Sequence, residues 1–376
     1  MADFSSKDDA WFAEWTARWD AMQDAYVPGR RVAFRLIAEI LAERFPQGCR
    51  VADLGAGAGA LAEEILNRVP GSTVLCLDVE PFLLEACTRR LSPFADRAKV
   101  VRCDFRKEDF TTEITEHAEK DGGPRATRPT SAGPDARDSV VGRVPYATEG
   151  SRPPKPRSGA PQDSGKKDFT TEITESAEKT RCEAVVTSTT MHWFGREILQ
   201  KIYTWASSML VQSSPAQMGQ TPSDRPLPRA VGPAGGSLGR KPQVHNDETE
   251  NLSPVGATET AAARAAHGGL FLNADHIQPD DPDLARLALD LNEAERACLF
   301  QQTGAPTWDE FWHSLEDALG IASYYDTVAR PAWGQQDGPE PGYPLAVHAD
   351  LLRRAGFRHI ATLWRHLTDA LLVAGR

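Results

Sequence analysis

Between Cys49 and Phe105 three short apolar runs alternate with two helical patterns, and this alternation restricts the possible folds more than any other feature. "CRVADLG" reads as a buried strand, and "ALAEEILNRV" as a helix stopped by "PGS". "TVLCLDV" is a second strand, "EPFLLEACTRRL" a second helix and "AKVVRCDF" a third strand. Apolar strands joined by helices call for a parallel sheet covered on both faces.

The pattern resumes further on. "CEAVVTSTTMHWF" reads as a strand and the turn beyond it, "REILQKIYTWASSML" as a helix and "GGLFLNADHI" as another buried strand. Residues 282 to 329 read as mostly helical, with Trp308, Phe311, Trp312 and Leu315 on one face and Thr307 as the N-cap. "LAVHADLLRRAGF" is a helix capped by Gly356. "HIATLWRH" and "DALLVAG" make a closing antiparallel pair around Leu367 and Thr368. At the front, Trp11, Trp15, Trp19 and Met22 share one helical face, and "PGR" ends that helix. The next stretch, "RVAFRLIAEILAERF", is amphipathic through Phe34, Ile37 and Leu41.

Two segments interrupt this order. Residues 121 to 167 hold 20 Gly, Pro and Ser in 47 positions and one aromatic, Tyr146, so they cannot offset their ordering entropy and read as disordered. A near-perfect repeat flanks them: "DFTTEITEHAEK" at 109 to 120 returns as "DFTTEITESAEK" at 168 to 179, with Ser176 in place of His117. One repeat across a spacer is no solenoid and reads as a duplication or a retained insert. Residues 213 to 266 form a second biased insert without an aromatic residue.

The formal net charge of −11 argues against general affinity for nucleic-acid backbones. The six cysteines form no CxxC pair and suit structural thiols in a reducing compartment. The acidic N-terminus resembles no signal peptide, and no apolar run approaches the ~20 residues of a membrane helix. The expectation is a soluble, cytoplasmic protein. Oligomeric state is not legible.

Asp53, Gly55, Gly57 and Gly59 form D-x-G-x-G-x-G at a strand-to-helix junction. Glycines there permit positive φ and close ligand approach, and the helix offers free N–H groups. The spacing differs from G-x-G-x-x-G. An acid two residues before the first glycine disfavours a pyrophosphate and suits a ligand with a cationic group. Asp78, at the end of the second strand, can take both ribose hydroxyls of a nucleoside. Asp104 and Phe105, closing the third strand, suit an adenine: one accepts from the exocyclic amine and the other stacks.

Together "VADLGAGAGA", "VLCLDVEP", "VVRCDF", "EAVVTSTTMHWF", "GGLFLNADH" and the C-terminal "LLRRAGFRHIATLWRHLTDALLVAGR" resemble a class I S-adenosylmethionine-dependent methyltransferase of the small-molecule type. The resemblance spans residues 10 to 376 except the inserts. It implies an α/β, Rossmann-like, doubly wound sheet of seven strands, the last antiparallel. A helical lid would occupy residues 1–46 and the catalytic domain residues 47–376. It further implies that Gly55, Gly57 and Gly59 line the methionine and ribose portion of S-adenosylmethionine, that Asp78 and Val79 hold the ribose, and that Asp104 and Phe105 hold the adenine. Asp53 would act near the amino group, directly or through water.

A methyl sulfonium is already electrophilic, so the protein supplies position and electrostatics, and a base only if the nucleophile arrives protonated. His192, just past the fourth strand, is the candidate base; the alternative is a histidine that only shapes the wall. Trp193 either walls the pocket or packs in the core. Trp19 belongs to a face that reads as lid core rather than a substrate cage. Tyr26 and Arg30 sit where a lid would cover the cofactor, with Arg30 either pairing a carboxylate or solvated. Asp275 and His276 are adjacent on a strand, point to opposite faces and make a poor ligand pair. No metal site is expected. The function expected is methyl transfer to a small molecule. Two rivals remain: a carboxymethyl-donor synthase of tRNA modification, and a non-catalytic cofactor-binding protein.

Overall fold

The computed structural model describes residues 4–107, 181–211, 268–334, 337–339 and 341–376. The repeat at 109–120 and 168–179 and the inserts at 121–167 and 213–266 lie outside the described residues.

Seven strands form one sheet in the order β3-β2-β1-β4-β5-β7-β6. They are β1 (Arg50–Leu54), β2 (Thr73–Asp78), β3 (Ala98–Arg102), β4 (Ala184–Ser188), β5 (Leu270–His276), β6 (His359–His366) and β7 (Asp369–Gly375). The first five run parallel, and β7 enters antiparallel between β5 and β6. This is the α/β, Rossmann-like sheet of seven strands with an antiparallel insertion that the sequence implied.

The strands bury both faces, which is why they read as unbroken apolar runs. Val51, Val74, Cys76 and Val186 pack against α2 (Arg30–Arg44) and α3 (Ala60–Arg68). Ala52, Leu54, Val185 and Phe271 pack against α5 (Arg196–Met209) and α9 (Leu345–Arg354). All six cysteines are thiols, five of them buried.

A third cluster forms a cap. It joins α1 (Asp9–Tyr26), α4 (Pro81–Arg90), α7 (Trp308–Leu319) and the turn from Tyr324 to Trp333, through Phe12, Trp15, Trp19, Phe82, Phe311 and Trp312. The cap thus combines chain segments about 300 residues apart in sequence. Its helices begin where local chemistry directs. Asp8 accepts from Trp11 N–H at 2.8 Å, and Thr307 with Glu310 makes a capping box. The two N-terminal helices part company: α1 joins the cap, whereas α2 packs into the sheet core. Between β5 and α7 runs the long α6 (Pro282–Thr303), and α8 (Arg330–Trp333) closes the cap segment that starts at Tyr324.

Candidate cofactor and substrate site

Asp53 and Asp78 lie at the carboxyl ends of β1 and β2, and Asp104 lies two residues beyond β3. The chain leaves the ladder early there because Asp104 starts a turn. Its carboxylate accepts from Arg106 N–H at 3.1 Å and its carbonyl from Lys107 N–H at 3.1 Å. All three acids line one cavity.

The glycines of the turn have positive φ of 67°, 54° and 82° at Gly55, Gly57 and Gly59. Their surroundings differ. A Cβ on Gly55 would lie 2.2 Å from Thr190 Oγ1, and one on Gly59 would lie 2.8 Å from Cys87 Sγ. Those two glycines are demanded by the protein's own packing. A Cβ on Gly57 would meet only Trp19 Nε1, at 3.9 Å, so the backbone there opens towards the cavity.

Asp78 is held by its own turn. Oδ2 accepts from Gly57 N–H at 2.8 Å, and Oδ1 from Val79 and Glu80 N–H at 2.7 and 3.1 Å. Burial raises its pKa, and the three N–H donors oppose that rise. Asp53 is 1% exposed, and its Oδ2 has no hydrogen-bond partner. Burial, aided by the Asp78 charge, pushes its carboxyl up to about 8. An orphaned buried carboxylate beside an open glycine backbone fits a ligand bearing a cation. Val79 and Phe105 line the same cavity, and Phe105 stands edge-on to Phe194.

Of the other expected residues, Trp19, Arg30 and Trp193 line the cavity, whereas Tyr26 and His192 are not among its lining residues. Tyr26 instead packs its ring on Phe300 and accepts from Trp308 N–H at 3.1 Å. Arg30 is neither solvated nor available: it is 7% exposed, bonds Asp24 at 2.7 Å and pairs with Asp20 at 3.6 Å.

His192 lies in the short turn behind the lining residues Thr190 and Trp193. Its Nδ1 is 2.6 Å from Asp275 Oδ1. Burial lowers its pKa, and Asp275 opposes this only in part. Burial raises the Asp275 carboxyl, but the His192 ring and the His276 N–H outweigh that and bring it down to about 2. His276, whose ring centroid is 4.6 Å from that of His192, pairs in turn with Asp369 at 2.5 Å. Asp275 thus finds its partner in the turn after β4, and His276 finds its own at the start of β7. Among the described residues no group of His, Cys, Asp and Glu could hold a metal ion.

Sequence reasoning passed over several lining residues. Trp308 and Trp333 complete a wall of indoles with Trp193, whose centroids lie 6.4 and 5.4 Å from theirs. Arg106 also lines the cavity. Thr189, another lining residue, adopts φ 51°, unusual for a β-branched side chain. The helical spacing of Trp308 was visible, but the fold-back that brings it over the strand ends was not.

The strand order and its covering helices define an α/β, Rossmann-like fold with a cap over the strand ends. No family model and no curated protein matches the chain. Among solved structures it is similar to human N-acetylserotonin methyltransferase in complex with SAM, at 12% identity and TM-score 0.40, over 98% of this chain and 57% of that one. It is similar to an O-methyltransferase family protein from Burkholderia thailandensis, at 11% identity and TM-score 0.41, over 99% of this chain and 61% of that one. It is also similar to CalO1, a methyltransferase in calicheamicin biosynthesis solved with SAH bound, at 15% identity and TM-score 0.37, over 99% and 61%. The chain spans about three-fifths of the length of these proteins. Among the described residues no helix is long and apolar enough to cross a membrane.

Proposed function

We propose that this protein transfers a methyl group from S-adenosylmethionine to a small-molecule acceptor. The observation that carries the reading is the unpartnered, buried Asp53 Oδ2 in a cavity that Asp78 and Asp104 also line. Asp53 would face the amino group of the cofactor, Gly57 the methionine and ribose portion, Asp78 and Val79 the ribose, and Asp104 and Phe105 the adenine. Gly55 and Gly59 shape the turn that presents them. When bound, the cofactor supplies an electrophilic methyl on a sulfonium. The chain's part is to orient the acceptor, keep water out and take up a proton where one is released.

The indoles of Trp193, Trp308 and Trp333 support a flat acceptor. His192 stands behind the lining residues, so its proposed part is to take up a proton relayed from the cavity, since a carboxylate on Nδ1 leaves the lone pair of the neutral ring on Nε2. A carboxymethyl-donor synthase would need a cation to fix a second carboxylate, and Arg30 is already committed to Asp20 and Asp24. The net charge of −11 supports a partner other than nucleic acid, and the buried thiols support a cytoplasmic setting.

The test is calorimetric titration with S-adenosylhomocysteine, followed by mass spectrometry for a methyl added to small-molecule extracts. Micromolar binding that Asp78→Ala abolishes is expected. Absence of heat with either S-adenosylhomocysteine or S-adenosylmethionine would sink the proposal.

A further inference from the structure

Arg106 ties the end of β3 to the cap. Its Nε donates to Asp104 Oδ1 at 2.7 Å, its Nη2 to Asp104 Oδ2 at 2.7 Å, and the same Nη2 to Ala332 carbonyl at 2.7 Å. The guanidinium therefore occupies both oxygens of the acid read as the adenine acceptor. The cap chain passes tightly over it. Gly334 has φ 67°, a conformation that favours glycine, and a Cβ there would lie 1.3 Å from Arg106 Nη1, so a side chain would displace the guanidinium.

We propose that Arg106 is a positioning residue that couples cofactor entry to release of the 330–334 segment of the cap, an inference that rests on the reading of Asp104 as the adenine acceptor. The fork takes a bond at each oxygen of Asp104, so an exocyclic amine that reaches this carboxylate competes with it and weakens its hold. A guanidinium is planar and rigid, so its arms do not leave one at a time. The arm on Oδ2 is also the donor to Ala332, so freeing Asp104 breaks the cap contact in the same movement.

The cap does not detach, because a second tie stands beside the ribose acid. Glu80, two residues after Asp78 as Arg106 is two residues after Asp104, accepts from Tyr324 O–H at 2.7 Å, fully buried. The cap stays anchored at Tyr324 while its end from Arg330 to Gly334 lets go. The charged fork competes with a neutral amine for Asp104. Arg106 thus holds cofactor affinity down and keeps the cavity wall at Trp333 closed until the adenine arrives.

The experiment compares the full chain with Arg106→Ala and Arg106→Lys by hydrogen exchange over residues 325–334 and by calorimetry with S-adenosylhomocysteine. Faster exchange in ligand-free Arg106→Ala is expected, together with binding tightened about tenfold, the worth of a charge-assisted bond over a neutral one. Adding S-adenosylhomocysteine to the unmodified chain should raise exchange over 325–334 to the level of the variant. Arg106→Lys, which keeps the charge without the fork, should move the same way. Binding that leaves this exchange unchanged, or that weakens in both variants, overturns the coupling while the proposed function stands. Absence of binding to every form overturns both, and is told apart by the missing heat.

Discussion

The Asp275 carboxylate, 2.6 Å from His192 Nδ1, also fastens the backbone that lines the cavity. Its Oδ2 accepts from Thr190 and Met191 N–H at 3.1 and 2.7 Å, and its Oδ1 from His276 N–H at 2.8 Å. One fully buried side chain from β5 thus sets the turn after β4. Asp275→Asn keeps the size but turns an amide N–H₂ towards these donors. A destabilisation of about 3 kcal/mol is expected from chemical denaturation. Weaker S-adenosylhomocysteine binding should accompany it. A change below ~1 kcal/mol would mean that the turn holds itself.

Asp53 makes ligand binding depend on pH. Its carboxyl, raised to about 8, is protonated in the ligand-free protein at neutral pH, whereas a cationic ligand favours the ionised form. Affinity for S-adenosylhomocysteine, which keeps the amino group, should rise with pH up to about 8 and then level off. Calorimetry in two buffers of different ionisation heat should show proton release at pH ~7. Asp53→Asn should remove both effects.

The same shift bears on stability, and its sign follows from linkage. The folded-state pKa of Asp53 lies above its unfolded value of 3.8, so its contribution is complete below that value and is lost as pH rises through about 8. Ligand-free Asp53→Asn should therefore melt higher than the unmodified protein above pH ~8, by calorimetric melting. Equal melting curves there would show that Asp53 is already ionised without penalty.

Two glycines of one turn should respond differently. Gly55→Ala forces a methyl into Thr190 at positive φ and should cost about 3–4 kcal/mol, seen as loss of folded protein. Gly57→Ala meets open space and should cost only about 1–2 kcal/mol. The Gly57 variant should fold but lose ligand binding, which circular dichroism and titration together would reveal.

His348 sets an acid limit. Its Nδ1 lies 2.7 Å from Tyr203 O–H, and burial lowers its pKa to about 4. A buried neutral imidazole must charge on unfolding, so stability is full above about 6.5 and falls as pH drops towards 4. The loss should approach about 3 kcal/mol. His348→Gln should flatten denaturation midpoints over that range.

Much of the scaffold was legible because its signals are local. Periodicity placed the strands and most helices, though α6 was read only as part of a mostly helical stretch and α8 not at all, and the spacing from Asp53 to Gly59 placed the turn. The cap was only half legible. The Trp11, Trp15 and Trp19 face and the Trp308, Phe311 and Trp312 face each read as one side of a helix, and nothing in the sequence joins them. The sequence grouped α1 and α2 in one lid, whereas packing sends α2 to the sheet, because Phe34 and Ile37 find partners in Val51 and Leu61.

By itself the sequence determined the parallel sheet, the glycine turn and three acids at successive strand ends, since these follow from hydrophobic period and local spacing. Only the tertiary structure decided what state those groups are in. It left Asp53 without a partner, gave Asp104 to Arg106 and Arg30 to Asp20 and Asp24, and brought Asp275 to His192 across 83 positions. Charge state and pairing depend on burial and on distances through space, and neither is written in the spacing along a chain.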